Sequence, residues 1–173
     1  EERIGPYRIV RALGEGGMLD PRHQQPLPGP DMTPLPIAVA ASMPPGSVRV
    51  LAAGDIAQCS SRGLDATAAL VAAMPDALVL PLGDLAYPDG SASDFMDCYD
   101  PSWGVAKDRS WPVPGNHEYD TPGGAGYFGY WGAAAGTPEQ PFRAIDLDGW
   151  RVYLLSSECG QSNGPCTADA QLA

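Results

Sequence analysis

Apolar positions along this chain fall into short runs broken by glycine, proline and acidic residues. "VRVLAAG" (Val48 to Gly54) and "ALVLPLG" (Ala77 to Gly83) are apolar almost throughout and end on glycine, which predicts two buried strands. Between them, "SRGLDATAALVAAMP" places Leu64, Ala68 and Val71 on one helical face, with Pro75 as the stop. "SASDFMDCYDPSWG" reads as a short helix capped by Ser91 or Ser93, and "SWPVPG" as a brief strand limited by its prolines. "FRAIDLDGWRVYLLSSE" alternates on both sides of Asp148-Gly149, the mark of two strands joined by a tight turn. Strand, helix, strand, helix, strand and then a hairpin predict an α/β domain with a partly parallel sheet.

Upstream the pattern changes. Asp20 to Pro45 holds eight prolines and little periodicity, so it reads as an extended linker. The expected organisation is an N-terminal stretch over 1–19, a proline-rich linker over 20–46, and a folded domain over 47–173.

Composition narrows the function classes. The 173 residues, 44% of them hydrophobic, suffice for one domain with a real core. Ten Lys and Arg against 21 Asp and Glu leave a formal charge of −11, so no basic face for nucleic acid is evident and an anionic lipid surface would repel the chain. An anionic substrate would need metal ions to offset that field. No apolar run reaches the roughly 20 residues of a membrane helix, the longest hint being "IAVAAS" at Ile37 to Ser42. The chain opens on Glu1-Glu2 with no intact signal peptide in view. Four cysteines allow three pairings; "CGQSNGPC" closes a short polar loop suited to a Cys159–Cys166 bridge, which leaves Cys59 with Cys98. Such a framework favours an oxidising setting, secreted or at the cell surface.

The candidate chemistry lies where the strands end. Gly54-Asp55, Gly83-Asp84 and Gly115-Asn116-His117 follow three successive predicted strands, with 29 residues from Asp55 to Asp84 and 32 from Asp84 to Asn116. Each interval is about one strand-helix-strand unit, so in a parallel sheet the three tips leave at one carboxyl edge. Any one of them taken singly is ordinary turn chemistry. Together they bring two carboxylates, an amide oxygen and an imidazole to one place, a ligand set for hard or borderline cations.

"GDIA", "GDLAY" and "GNHE" resemble the first three blocks of the calcineurin-like metallophosphoesterases, within their purple-acid-phosphatase-like branch. Ala57 stands where the family's general first block has a histidine, and Tyr87 stands where this branch has its ligand tyrosine. The resemblance implies a βαβαβ half of a two-sheet sandwich, incomplete, over about Val48 to Ala173. It implies that Asp55 and Tyr87 bind a first metal, that Asp84 bridges to a second, and that Asn116 binds the second. His117 would then be the catalytic residue, a proton donor beside the phosphate, with Glu118 supporting it. The implied cofactors are two metal ions, Fe with Fe, Zn or Mn, and the implied substrate is a small phosphate monoester or diester.

The family also supplies about three later histidines, whereas this chain holds only His23 and His117, so the second half of the site is missing. A non-catalytic remnant or binding module of the same fold is therefore the alternative. "IGPYRIVRALGEGGM" (Ile4 to Met18) resembles the opening of a bacterial Ser/Thr protein kinase, but Leu19 replaces the third glycine and no lysine, catalytic-loop or metal-binding motif follows. The aromatic cluster from Tyr127 to Trp131 is expected to pack in the core or at its rim, and Asp89, Asp94, Asp97 and Asp100 to form a solvated face.

Overall fold

The computed structural model describes residues 3–4, 7–8, 47–161 and 164–171. The chain divides into two units, Glu1–Ala38 and Val39–Ala173. In the first, β1 (Arg3–Ile4) pairs antiparallel with β2 (Tyr7–Arg8). The rest of the kinase-like stretch and the proline-rich segment with His23 lie outside the described residues.

In the second unit, β3 (Val50–Ala53) and β4 (Leu78–Pro81) pair in parallel, Val50 opposite Leu78 and Ala53 opposite Pro81. Parallel neighbours need a crossover, and α1 (Arg62–Ala72) supplies it, burying Leu64 and Val71. A third extended segment runs parallel to β4, where Trp111 N–H donates to the Val79 carbonyl at 2.9 Å and Val113 N–H to that of Pro81 at 3.0 Å. Pro112 and Pro114 have no N–H to give, which keeps this segment from forming a continuous ladder. The architecture is mixed α/β, with three parallel segments leaving at one edge.

Two clusters cover the faces of this small sheet. Leu51, Val79 and Leu85 pack with α1 and with Phe95, Tyr99, Trp103, Tyr127 and Trp131. On the other face, Leu80 and Val113 meet Ile145 and Leu154 of the hairpin β5 (Arg143–Leu147) and β6 (Trp150–Leu154). Asp148 (φ 42°) and Gly149 (φ 87°) both take the left-handed backbone that a two-residue hairpin turn requires, as expected for Asp-Gly.

Two expectations need correction. β3 is half-buried: the hairpin covers β4 and the third segment, so Val50 stays 41% exposed beside an open apolar groove of about 210 Å³ shared with Val48, Leu147, Trp150 and Val152. Asp94 is no surface charge, because its carboxylate accepts the Ser91 N–H at 3.0 Å while Ser91 Oγ accepts the Asp94 N–H at 3.2 Å. That reciprocal cap makes Ser91, not Ser93, the start of α2 (Ala92–Asp94), which widens into a π turn over Phe95–Tyr99. Asp89, Asp97 and Asp100 are exposed as expected, Asp100 also accepting the Tyr130 hydroxyl at 2.7 Å. The aromatic cluster packs as expected, but on a helix that the sequence pattern does not announce, α3 (Ala125–Trp131).

Cys59–Cys98 and Cys159–Cys166 are both bonded, the first tying the loop after β3 to the π turn. Among the described residues no helix is long and apolar enough to cross a membrane.

Candidate functional site

Asp55 and Asp84 sit one residue past the glycines that end their strands, and the pairing of β3 with β4 continues beneath them. Asp55 N–H donates to the Gly83 carbonyl at 3.2 Å, Ile56 N–H to that of Asp84 at 3.0 Å, and Ala57 N–H to that of Leu85 at 3.0 Å. Tyr87 N–H closes the ladder on the Ala57 carbonyl at 2.8 Å. Both acids have left-handed backbones, φ 53° for Asp55 and 52° for Asp84. Non-glycine residues take that conformation at a cost of order 1–2 kcal/mol and cluster at functional sites, with Asp among the more tolerant types.

Three oxygen donors meet here. The Tyr87 hydroxyl donates to Asp55 Oδ1 at 2.6 Å and lies 3.5 Å from Asp84 Oδ2, a long contact. Asp84 Oδ1 accepts the backbone N–H of His117 at 3.1 Å, which places the Asn116-His117 tip against the same carboxylate. Gly115 makes that approach possible: a Cβ there would run into Asp84, 2.5 Å from its backbone nitrogen and 3.0 Å from its Cγ. Burial pushes the Tyr87 phenol well above its ordinary range, helped by its bond to Asp55 and by the charge of Asp84. In this form the phenol keeps its proton between two carboxylates. A cation would reverse that preference, because its charge favours the phenolate and replaces the proton as the group the acids share. The donor set therefore fits a hard cation.

The Asn116 side chain is exposed at the same edge. The His117 ring lies 4.6 Å from that of Tyr87, centroid to centroid, and its Nδ1 is 2.7 Å from the Pro88 carbonyl. A carbonyl only accepts, so Nδ1 carries the proton in that bond and Nε2 is the nitrogen left for other chemistry. Asp120 Oδ2 is 3.5 Å from the same Nδ1.

Glu118 is the residue whose part the sequence understates. It is fully buried, and its carboxylate accepts backbone N–H groups of Asp84, Leu85, Ala86 and Gly115 at 2.7–3.4 Å. Burial raises its pKa while the N–H groups of Gly115 and Leu85 pull it down. Its place at the end of "GNHE" marks it in the sequence as a support for His117, and nothing in that motif announces a buried acid.

Among the described residues no group of three or more His, Cys, Asp or Glu is placed to hold a metal; the candidate set has two carboxylates, a phenol and an amide. Two hollows lie elsewhere, one lined by Lys107, Trp111 and Trp131 and the other beside β3. No family model, no curated protein and no solved structure matches the chain.

Proposed function

We propose that this chain carries a cation-dependent phosphoesterase centre of the metallophosphoesterase kind at the carboxyl edge of its parallel segments. The observation that carries the reading is the convergence of Asp55, Asp84 and Tyr87, with hydroxyl and carboxylate oxygens 2.6 and 3.5 Å apart, at a backbone-locked edge. Asp55 and Tyr87 would hold one ion and Asn116 another, with Asp84 shared; Fe paired with Fe, Zn or Mn suits a set containing a phenolate. When bound, the ions supply charge that offsets the phosphoryl oxygens and acidifies a water. The chain's own contribution is placement and a proton. With Nδ1–H held by the Pro88 carbonyl, His117 in its imidazolium form would give the Nε2 proton to the leaving oxygen and be left as the neutral Nδ1–H ring.

The test is hydrolysis of an aryl phosphate with added iron and zinc or manganese, on the wild-type chain and two variants. His117→Ala should lower kcat by roughly 10²–10⁴ and keep its cations, whereas Asp84→Asn should lose both cations and rate. Wild-type turnover by Asp84→Asn would sink the reading. A second reading, a cation-binding module without turnover, is favoured by the shortage of His, Cys, Asp and Glu at the site. It predicts saturable cation binding with hydrolysis no faster than the metal alone.

A further inference from the structure

Among the described residues Glu118 has no basic partner, yet it is fully buried. A buried carboxylate is tolerated when its lone pairs are satisfied, and here the backbone alone does so. Oε2 accepts from Asp84 N–H at 2.9 Å and Gly115 N–H at 2.7 Å; Oε1 accepts from Leu85 N–H at 2.7 Å and, at a longer 3.4 Å, from Ala86 N–H. A side chain that served only its own turn would bond within residues 115–119. Three of these four donors belong instead to the loop after β4, more than 30 residues away in sequence.

We infer that Glu118 is the positioning residue of this centre: its carboxylate cross-links the Asp84 loop to the Gly115-Asn116-His117 tip and so sets how Asp84, Asn116 and His117 face one another. The cross-link is read from the bonds; that it positions cation ligands rests on the function proposed above. Two features agree with a brace at this point. Asp84 holds a left-handed backbone, and the bond to its N–H is what Glu118 adds there. Gly115 packs so closely on Asp84 that a Cβ there would overlap it, which leaves little room between the two loops.

Substitutions separate the brace from simple bulk. Glu118→Gln keeps the shape but points an NH₂ at N–H donors, so one of the two oxygen sites is lost whichever way the amide turns. Glu118→Asp keeps the charge but is one methylene too short to span both loops. Terbium(III), a hard cation whose emission a nearby tyrosine sensitises, serves as the probe on the full chain. The expected result is terbium affinity lowered by roughly 10–100-fold in both variants, with near-ultraviolet circular dichroism unchanged. A folded Glu118→Gln protein with wild-type affinity would overturn the inference. Amide exchange in the wild-type chain without terbium decides the matter even where the variants do not fold. The Asp84, Leu85 and Gly115 amides should exchange far more slowly than an exposed loop amide such as that of Gln58, and equal rates would overturn the brace. A wild-type chain that gives no tyrosine-sensitised terbium emission overturns the cation-site reading, and the exchange rates then judge the cross-link by themselves.

Discussion

Replacing Gly115 by alanine tests how tightly the candidate site is built. The new Cβ would stand 2.5 Å from Asp84 N and closer still to Oδ1, where ordinary contact needs well over 3 Å. The neighbouring Gly83 is packed as closely, its own Cβ falling 3.0 Å from the Gly115 Cα, so the tight contact extends along this stretch. The Gly115 N–H to Glu118 bond, 2.7 Å long, has to stretch when the tip moves. Overpacking costs about 1–3 kcal/mol, and weakening a hydrogen bond to a charged group adds about 1.5–3. The stiffer alanine chain returns about 0.4–1 kcal/mol through the unfolded state. The net expectation is a loss of about 2–5 kcal/mol, a large share of a typical domain's stability. Urea unfolding followed by tryptophan fluorescence should then show a midpoint lower by about 1–2.5 M at a slope of about 2 kcal/mol per M. Gly129→Ala is the control: nothing lies within 4 Å of a Cβ there and the position is helical, so it should gain up to about 1 kcal/mol. A Gly115→Ala midpoint within about 0.3 M of wild type would refute the account of a close-packed edge.

Other expectations follow from different parts of the molecule. The Cys59–Cys98 bridge spans 39 residues and Cys159–Cys166 spans 7, so on chain entropy replacing the first pair by serine should cost about 4 kcal/mol and the second about 2.5; the reverse order in urea midpoints would contradict this. Tyr119, whose pKa is pushed up to about 12 by burial first and then by the charges of Glu158 and Glu118, keeps its proton to higher pH folded than unfolded. Its contribution is intact below the free-tyrosine value of about 10 and is lost as pH rises towards the folded value. Tyr119→Phe should therefore make the decline of stability across that window shallower, and an unchanged slope would count against it. Ser91→Ala should cost about 1 kcal/mol through loss of the reciprocal cap, with Ser93→Ala nearly neutral; equal effects would move the cap.

What was legible in the sequence was whatever depended on period or on turn chemistry. The β5–β6 hairpin was readable because Asp148-Gly149 is one of few pairs that accept two left-handed residues in succession. The meeting of Asp55 with Asp84 was readable because parallel segments of similar spacing deliver their tips to one edge. What was not legible depended on partners far away in the chain. Whether Val50 is covered depends on where the hairpin lands, about 100 residues later. Glu118 reads only as a support for His117 until four backbone N–H groups are seen around it. α3 stayed hidden because it holds two glycines, Gly126 and Gly129, beside aromatics of low helix propensity, and tertiary packing of Tyr127 and Trp131 overrides that weakness.

Manganese(II) titration of the full chain tests most directly whether Asp55, Asp84 and Tyr87 form a cation site. Bound manganese loses the sharp electron-paramagnetic-resonance signal of the free ion, so free and bound concentrations are read together. The prediction is saturable binding by the wild-type chain, at least roughly tenfold weaker in Asp84→Asn and in Asp55→Asn, and unchanged in His117→Ala. A wild-type chain that leaves the free-ion signal undiminished, or an Asp84→Asn chain that binds as wild type does, would contradict it.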